Sequence, residues 1–320
     1  MKFLQANWEL ILKWVVVLAA CLFLTHKLIY FSEYDRLLSW WRQMPLAQSW
    51  WLVAVVALLP VNWLVEALKW NLLTAPLQKL SLKTSVRAVL AGISTGFFTP
   101  NRVGELMGRV LYLDAGNRKA GVALSIVSSL TQNLVMAIFG IPAFVILFYS
   151  TTNVFAINMQ YFLLSVLAFL VLFLALYFSL PKLSRYFAQT KIAAGVRGFA
   201  DGLALHSRSG LFRIVGVSML RYIVFCLQFF LMLRFFGVQL QLSEALIAIP
   251  AHYLIVTFLP SFAFSEAAVR SSSAVLIVGL YSGLVANIAL AGICVWAVNF
   301  IVPMLVGLML LAPGKNGIGA

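Results

Sequence analysis

The chain has 320 residues, of which 63% are hydrophobic and 10% are charged, and its mean hydropathy is +0.99. This composition excludes an ordinary soluble domain and is typical of a polytopic membrane protein. The formal net charge is +14, but the basic residues flank apolar segments, which indicates cytoplasmic loops beside anionic lipids rather than a nucleic-acid interface. We expect an all-α protein, because its long apolar runs suit membrane-spanning helices and lack the alternation of a membrane barrel.

The first apolar segment follows Lys2 and Lys13 and runs to about Phe31. Residues 18–21 read Leu-Ala-Ala-Cys, which also matches a lipoprotein signal-peptidase site. The apolar stretch continues past Cys21, so we favour a retained first helix over a cleaved signal.

A second helix is predicted over about residues 49–70, and a charged side chain lies near its end. Charged groups are costly in hydrocarbon, so Glu66 is a candidate site residue. It either lines a pathway or forms an interfacial pair with Lys69 or Trp63, and the sequence leaves both interpretations open.

The most polar stretch between apolar segments is Phe97–Arg109. Only fourteen uncharged residues separate Arg87 from Arg102, and as a helix they extend about 21 Å. This length is less than the hydrocarbon core of about 30 Å. We therefore predict a re-entrant helical hairpin that turns at Phe97–Asn101, with its non-helical backbone covered by protein or by a wet cavity.

The end of this first motif has the residue types of an anion site. A helix is expected to begin at the proline, where Thr99 or the following asparagine can cap it. Glu105 and Arg109 share one helix face and neutralise each other, which leaves Arg102 and the N-terminal N–H groups for an anion. The alternative is a solvated ion pair in a cytoplasmic loop. The candidate binding residues here are Pro100, Asn101, Arg102, Glu105 and Arg109.

Residues 120–181 carry no charge and are long enough for two spans that turn at Ser150–Asn153. The basic loop 182–213 is predicted to be cytoplasmic and partly a surface helix. The next span, Ile214–Leu233, contains Arg221. This arginine either extends to the cytoplasmic interface or contacts a substrate, and we favour the interface.

The first motif occurs a second time. Pro260 follows Pro100 by 160 residues. Glu266 and Arg270 follow Glu105 and Arg109 by 161 residues. A second hairpin is therefore predicted within Ser243–Leu280. The uncharged stretch Ala245–Ser265 is also long enough to span the membrane as one helix.

Counting these segments gives six spans and two re-entrant hairpins, with both termini in the cytoplasm. The last span covers about residues 282–311 and is kinked near Pro303. The first hairpin enters from the inside and the second from the outside, so we predict an inverted-topology repeat within one membrane domain, 1–320. The first copy covers residues 1–155 and the second covers 156–320.

The two motifs resemble the membrane region of the lysylphosphatidylglycerol synthase/flippase family of integral membrane proteins. The resemblance is carried by Pro100–Glu105 with Arg109, and by Leu259 and Pro260 with Glu266 and Arg270. It implies a multi-pass protein of the bacterial inner (cytoplasmic) membrane that binds or translocates a lipid with a polar head group. It does not imply lysyl transfer, which belongs to a soluble C-terminal domain, since this chain ends at Ala320. In the second copy, Phe262 and Phe264 stand where family members usually carry glycines.

We predict a lipid flippase or lipid-carrier transporter that binds a polar or anionic head group in a cavity between the two hairpins. Its expected substrate-binding residues are Pro100, Asn101, Arg102, Glu105, Arg109, Pro260, Glu266 and Arg270. The expected partners are the membrane and a phospholipid or other anionic lipid, without nucleic acid, and a homo-oligomer is left open.

Two other classes of function compete with the transporter. The first is a membrane-embedded protease or transferase, which would need catalytic groups. His252 is the only histidine near a motif, and the sequence lacks the spacing of metal ligands. We therefore assign no catalytic residue, metal or cofactor. A lipid-binding accessory subunit is the other class. No P-loop is present, so we expect no ATP hydrolysis by this chain.

Overall fold

The computed structural model describes residues 45–97, 99, 102–151, 159–188, 197–259 and 263–311, together with residues 38 and 42. Within these ranges the chain is helical and forms no strand, which confirms the all-α class. The predicted first helix and the predicted site residues Pro100, Asn101 and Pro260 lie outside the described residues.

Eleven α-helices follow one another along the described ranges. They are α1 (Ser49–Thr74), α2 (Leu82–Phe97), α3 (Val103–Val110), α4 (Arg118–Thr151), α5 (Met159–Ala188), α6 (Arg197–Ala204), α7 (Arg208–Phe235), α8 (Leu242–Phe258), α9 (Ala263–Val278), α10 (Val285–Trp296) and α11 (Val302–Leu311). A π-helical segment, Ala297–Ile301, joins the last two.

Five helical segments are long and apolar enough to cross a bilayer, so the chain is a multi-pass membrane protein. They agree with the five predicted spans that fall in the described ranges. These segments are Leu46–Thr74, Ala115–Ser150, Leu163–Tyr186, Arg208–Phe235 and Val285–Leu310.

The last span contains a local change of helix type rather than an uninterrupted α-helix. Pro303 lacks the N–H that would bond to the carbonyl of Asn299, four residues earlier. The wider π-helical turn Ala297–Ile301 lies directly before this proline. This π-helical segment is of a form that often accompanies functional sites, and the kink near Pro303 stays a prediction.

The described residues divide into two compact units. Unit A contains residues 45–59, 139–151, 225–259 and 263–299. Unit B contains residues 60–97, 99, 102–138, 159–188, 197–224 and 300–311. The core of unit B is built from apolar side chains of α1, α2, α4 and α7, with Trp70 and Leu124 fully buried at its centre.

In unit B, α2 and α3 form a tightly packed antiparallel pair. A Cβ added at Gly108 would lie 2.7 Å from the carbonyl oxygen of Ala91, and one added at Gly104 would lie 2.8 Å from the carbonyl carbon of Thr95. The hydroxyl of Thr95 donates a hydrogen bond of 2.7 Å to the carbonyl of Gly104. Glycine is required at these positions because the two backbones touch, and this contact fixes the charged face of α3.

In unit A, α8 and α9 form a second packed pair of helices. Helix α8 ends at Phe258, Leu259 has extended backbone angles, and α9 begins at Ala263. The stretch Ala245–Ser265 is therefore interrupted at Leu259, and its crossing of the membrane stays a prediction. Across this pair, Nδ1 of His252 lies 3.1 Å from the hydroxyl of Ser273.

Candidate functional site

The centre of the candidate site, in unit B, is the carboxylate of Glu66 on α1, whose side chain is 1% exposed. Its Oε2 lies 2.8 Å from Nζ of Lys69 on the same helix and 2.8 Å from Nη1 of Arg221 on α7. Its Oε1 lies 2.7 Å from Nη1 of Arg109 on α3. One carboxylate thus joins three helices, and its three cations stabilise a charge that would otherwise be very costly to bury.

A second carboxylate, Glu105, extends this cluster along α3. Glu105 forms a salt bridge with Arg109 one helical turn later, and its Oε2 lies 3.4 Å from Nη2 of Arg102. The side chain of Arg102 is 29% exposed, whereas that of Lys69 is 1% exposed. The charge cluster, defined as Glu66, Lys69, Arg102, Glu105, Arg109 and Arg221, therefore has one buried end and one accessible end.

Polar neighbours hold the members of the charge cluster in place. On α4, the hydroxyl of Ser128 donates to Oε1 of Glu66 at 3.3 Å and accepts from Nη1 of Arg109 at 3.4 Å. On α1, Oδ1 of Asn62 accepts a hydrogen bond of 2.9 Å from Nε of Arg221. Such fixed donors and acceptors lower the cost of ordering the charged side chains when a ligand arrives.

Two aromatic rings contact the guanidinium groups of the cluster. The guanidinium carbon of Arg109 lies 5.7 Å from the centroid of the Trp70 ring, and that of Arg102 lies 4.3 Å from the Phe300 ring. Cation–π contacts at such distances are attractive and leave the edges of each guanidinium open to hydrogen bonding. Phe300 belongs to the π-helical segment, which gives that segment a role in placing Arg102.

The start of α3 explains how Arg102 reaches the cluster. Helix α3 begins at Val103 with Arg102 at its N-cap, so its start lies later than the predicted start at the proline. The N–H of Gly104 still donates to the hydroxyl of Thr99 at 2.8 Å, which satisfies one donor of the first turn. Arg102 has φ 58° and ψ 29°, and it is the only non-glycine residue with positive φ in the described part of the chain. Strained backbone of this kind concentrates at functional sites, which supports a functional role for the Arg102 side chain.

The charges of the cluster do not balance. Four cations contact two carboxylates, which leaves an excess of two positive charges among the described residues in these contacts. Nε of Arg109 is buried and has no hydrogen-bond acceptor in the part of the chain that the structure describes. A preorganised group of donors with surplus positive charge is suited to binding an anion.

The second motif, in unit A, repeats the ion pair of the first. Oε1 of Glu266 lies 2.7 Å from Nη2 and 3.1 Å from Nε of Arg270, so both pairs predicted at a spacing of four residues are present. His252 is buried against the Phe229 ring, at 4.6 Å between ring centroids, and hydrogen-bonds Ser273. Its environment is that of a packed, hydrogen-bonded core histidine.

The structure brings together the described part of each predicted motif and adds residues to the first. Arg102, Glu105 and Arg109 lie in the charge cluster of unit B, and Glu266 and Arg270 form their own pair in unit A. The residues added are Glu66 and Arg221, for which the sequence left a site role open, and Lys69, which it offered only as a partner of Glu66. Their signal was present, since each is a charged residue inside a predicted span or at its end.

The preferred interpretation of Arg221 as a residue that extends to the interface is wrong, because its guanidinium pairs with Glu66 and Asn62. No group of three or more His, Cys, Asp or Glu side chains that suits a metal ion occurs among the described residues. The charge cluster consists mostly of cationic side chains whose N–H groups donate hydrogen bonds, and such groups bind anions rather than metal ions.

Comparison with known proteins identifies the family. No match was found among curated proteins or among solved structures. The family model described as the lysylphosphatidylglycerol synthase TM region matches residues 10–307, which is nearly the whole chain and includes every residue of the charge cluster and both motifs. The resemblance of the two motifs is thereby confirmed, and the chain belongs to the family of lysylphosphatidylglycerol synthase transmembrane regions.

Proposed function

We propose that this chain is a lipid flippase or lipid-carrier transporter, and that its charge cluster binds the polar, anionic head group of the lipid. The observation that carries the proposal is the net positive cluster buried around Glu66, on helices apolar enough to cross a membrane. A family related to lipid handling supports the same conclusion. A protein that only spans the bilayer has no need for six charged side chains in one cluster with a buried centre.

The chemistry of the site suits transfer of a head group out of water. An anionic head group loses hydrogen bonds to water when it enters hydrocarbon, and the arginine and lysine N–H groups of the cluster replace them. Glu66 and Glu105 hold these cations in place and reduce the cost of burying them when no lipid is bound. The lipid tail needs an apolar surface, and α3 exposes Val103 and Met107 beside its charged residues.

We propose that α2–α3 and α8–α9 are re-entrant hairpins and that the two motifs belong to copies inserted in opposite directions. Their lengths support this, since α2 and α9 have 16 residues each and α3 has eight. Sixteen helical residues extend about 24 Å, less than the hydrocarbon core of about 30 Å. The same Glu-Arg pair occurs on α3 and on α9, which supports duplication.

The proposal includes a location in the bacterial cytoplasmic membrane, with both termini in the cytoplasm. The distribution of Lys and Arg supports this orientation, because they concentrate in residues 182–213, which comprise the adjoining ends of α5 and α7 and the segment between them. The proposed partners are phospholipids or other anionic lipids of that membrane.

A transport assay tests the proposal. The purified protein is reconstituted into phosphatidylcholine liposomes that contain a trace of head-group-matched fluorescent phosphatidylglycerol or phosphatidate, and dithionite quenching measures exchange between leaflets. We expect exchange at least tenfold faster than in empty vesicles, and near the empty-vesicle rate for Arg109→Gln. The matched control is Arg213→Gln, an exposed arginine of α7, which is expected to exchange lipid at the unsubstituted rate.

Three outcomes decide between the functional classes. Exchange no faster than in empty vesicles for any head group refutes a flippase. Lipid binding without exchange indicates an accessory subunit that holds a lipid. Loss of exchange in Arg213→Gln to the same extent as in Arg109→Gln would show that the assay reports general damage, and the assignment of the cluster would be withdrawn.

A further inference from the structure

We infer that the charge cluster selects a dianionic head group, the phosphate monoester of a lipid, over the monoanionic phosphodiester of common phospholipids. This inference rests on the proposed function, because it names the head-group class that the same site takes. It follows from the charge balance of the cluster and from the number of its hydrogen-bond donors.

The charge balance favours a ligand with two negative charges. Counted over the described members of the cluster, the excess of two positive charges is shared among Lys69, Arg109, Arg221 and the more exposed Arg102. A phosphodiester carries one negative charge and leaves one positive charge uncompensated in a largely buried site. A phosphate monoester carries between about −1.5 and −2 at neutral pH and brings the site close to neutrality. Uncompensated buried charge is costly, so the monoester is the better ligand.

The donors of the cluster also exceed what a phosphodiester accepts. Nε of Arg109 is buried without an acceptor among the described residues. Nζ of Lys69 has three N–H groups, and its contacts in the described chain are to Glu66 at 2.8 Å and to the carbonyl of Ser128 at 3.5 Å. A monoester presents three strongly accepting oxygen atoms, whereas a diester presents two. The additional oxygen gives these donors an acceptor.

The test uses two lipids that differ by one methyl ester on the phosphate and therefore by about one negative charge above pH 7. Dimyristoyl phosphatidate is the monoester, and dimyristoyl phosphatidylmethanol is its methyl diester with the same acyl chains. The detergent-purified full chain is mixed with both lipids and phosphatidylcholine in equal amounts at pH 8, and native mass spectrometry measures the bound ratio. We expect phosphatidate to bind at least tenfold more tightly than phosphatidylmethanol, a difference of about 1.4 kcal/mol.

A series of charge variants assigns the preference to the cluster. Arg102→Gln lowers the excess to one positive charge, and Glu105→Gln raises it to three. We expect the phosphatidate preference to fall toward unity in Arg102→Gln and to be retained or increased in Glu105→Gln. Arg213→Gln changes an exposed charge outside the cluster and is expected to keep the tenfold ratio. Size-exclusion chromatography selects the variants that remain monodisperse.

Each remaining outcome has a distinct meaning. Equal binding of phosphatidate and phosphatidylmethanol, both above phosphatidylcholine, overturns this inference and leaves the proposed function in place. Binding of neither above phosphatidylcholine counts against both. A phosphatidate preference that is the same in Arg102→Gln and Glu105→Gln overturns the assignment to the cluster. Displacement of phosphatidate by inorganic phosphate at an equal concentration would assign the site to free phosphate rather than to a lipid.

Discussion

Replacing Glu66 by glutamine tests whether one carboxylate holds the charge cluster together. The amide keeps the size of the side chain but removes the charge that lies within 2.8 Å of Lys69 and Arg221 and 2.7 Å of Arg109. These cations would then repel one another in a buried site. We expect Glu66→Gln to destabilise unit B and to lower the thermal stability of the whole chain.

The magnitude follows from which cation loses its anionic partner. Arg109 keeps its salt bridge to Glu105, and Arg221 keeps its hydrogen bond to Asn62. Lys69 is fully buried, and Glu66 is its anionic partner among the described residues. Removing one partner of a buried ion pair costs about 3–5 kcal/mol, so we expect a loss of that size. Lys69→Met should recover about 2 kcal/mol or more in the double variant, because it removes the unpaired charge.

Equilibrium unfolding in mixed micelles of mild detergent and dodecyl sulfate measures the free energy of unfolding of the single and double variants. The control is Asp201→Asn, an exposed carboxylate of α6, which should change it by no more than about 0.5 kcal/mol. A loss below about 1 kcal/mol in Glu66→Gln would refute the reasoning. So would a double variant that is less stable than Glu66→Gln alone, since it would show that the Lys69 charge is not the source of the cost.

Two further predictions concern packing and pH. Gly108→Ala should cost about 2 kcal/mol or more of unfolding free energy, because its Cβ would lie 2.7 Å from a carbonyl oxygen of α2. The control is Gly116→Ala, whose Cβ meets no atom within 4 Å. Equal losses of unfolding free energy in the two variants would contradict the close contact. Burial lowers the pKa of His206, although the hydrogen bond between its Nε2 and the carbonyl of Leu73 acts in the opposite direction. As the pH drops, the His206 imidazole is therefore protonated in the unfolded chain before it is protonated in the folded chain. Thermal stability should fall below the ordinary histidine pKa of about 6.5, and the fall should be smaller in His206→Gln. The same pH profile of thermal stability in both chains would contradict this prediction.

Several features of the fold were predictable because they are local in the chain. The all-α class and the spans follow from apolar runs of sufficient length. The helix break after Phe97 follows from a polar stretch with a proline, and the pairs Glu105–Arg109 and Glu266–Arg270 follow from a spacing of four residues on a helix. In each case the physical cause lies within about one or two helical turns, so no tertiary information was needed.

The full charge cluster was not predictable in the same way. Arg221 and Glu66 are far apart in sequence, and their contact depends on how α1 and α7 pack within unit B. From the sequence alone, Arg221 lies about two helical turns from a basic segment, and extending its side chain to the membrane interface costs less than burying its charge. The role of Thr95 was also hidden, since its hydroxyl bonds across to a backbone carbonyl of α3. The sequence identifies the charged residues but does not show which of them meet.

The pairing of Glu66 with Lys69 also affects how the protein enters the membrane. These residues stand three apart on α1, so their salt bridge can form inside a single helix as soon as that helix is synthesised. The translocon then receives a segment whose two charges already offset each other, which lowers the cost of inserting it. Arg221 is made more than 150 residues later and meets a carboxylate that is already in the bilayer. Biogenesis therefore requires no stage at which the Glu66 charge is buried alone.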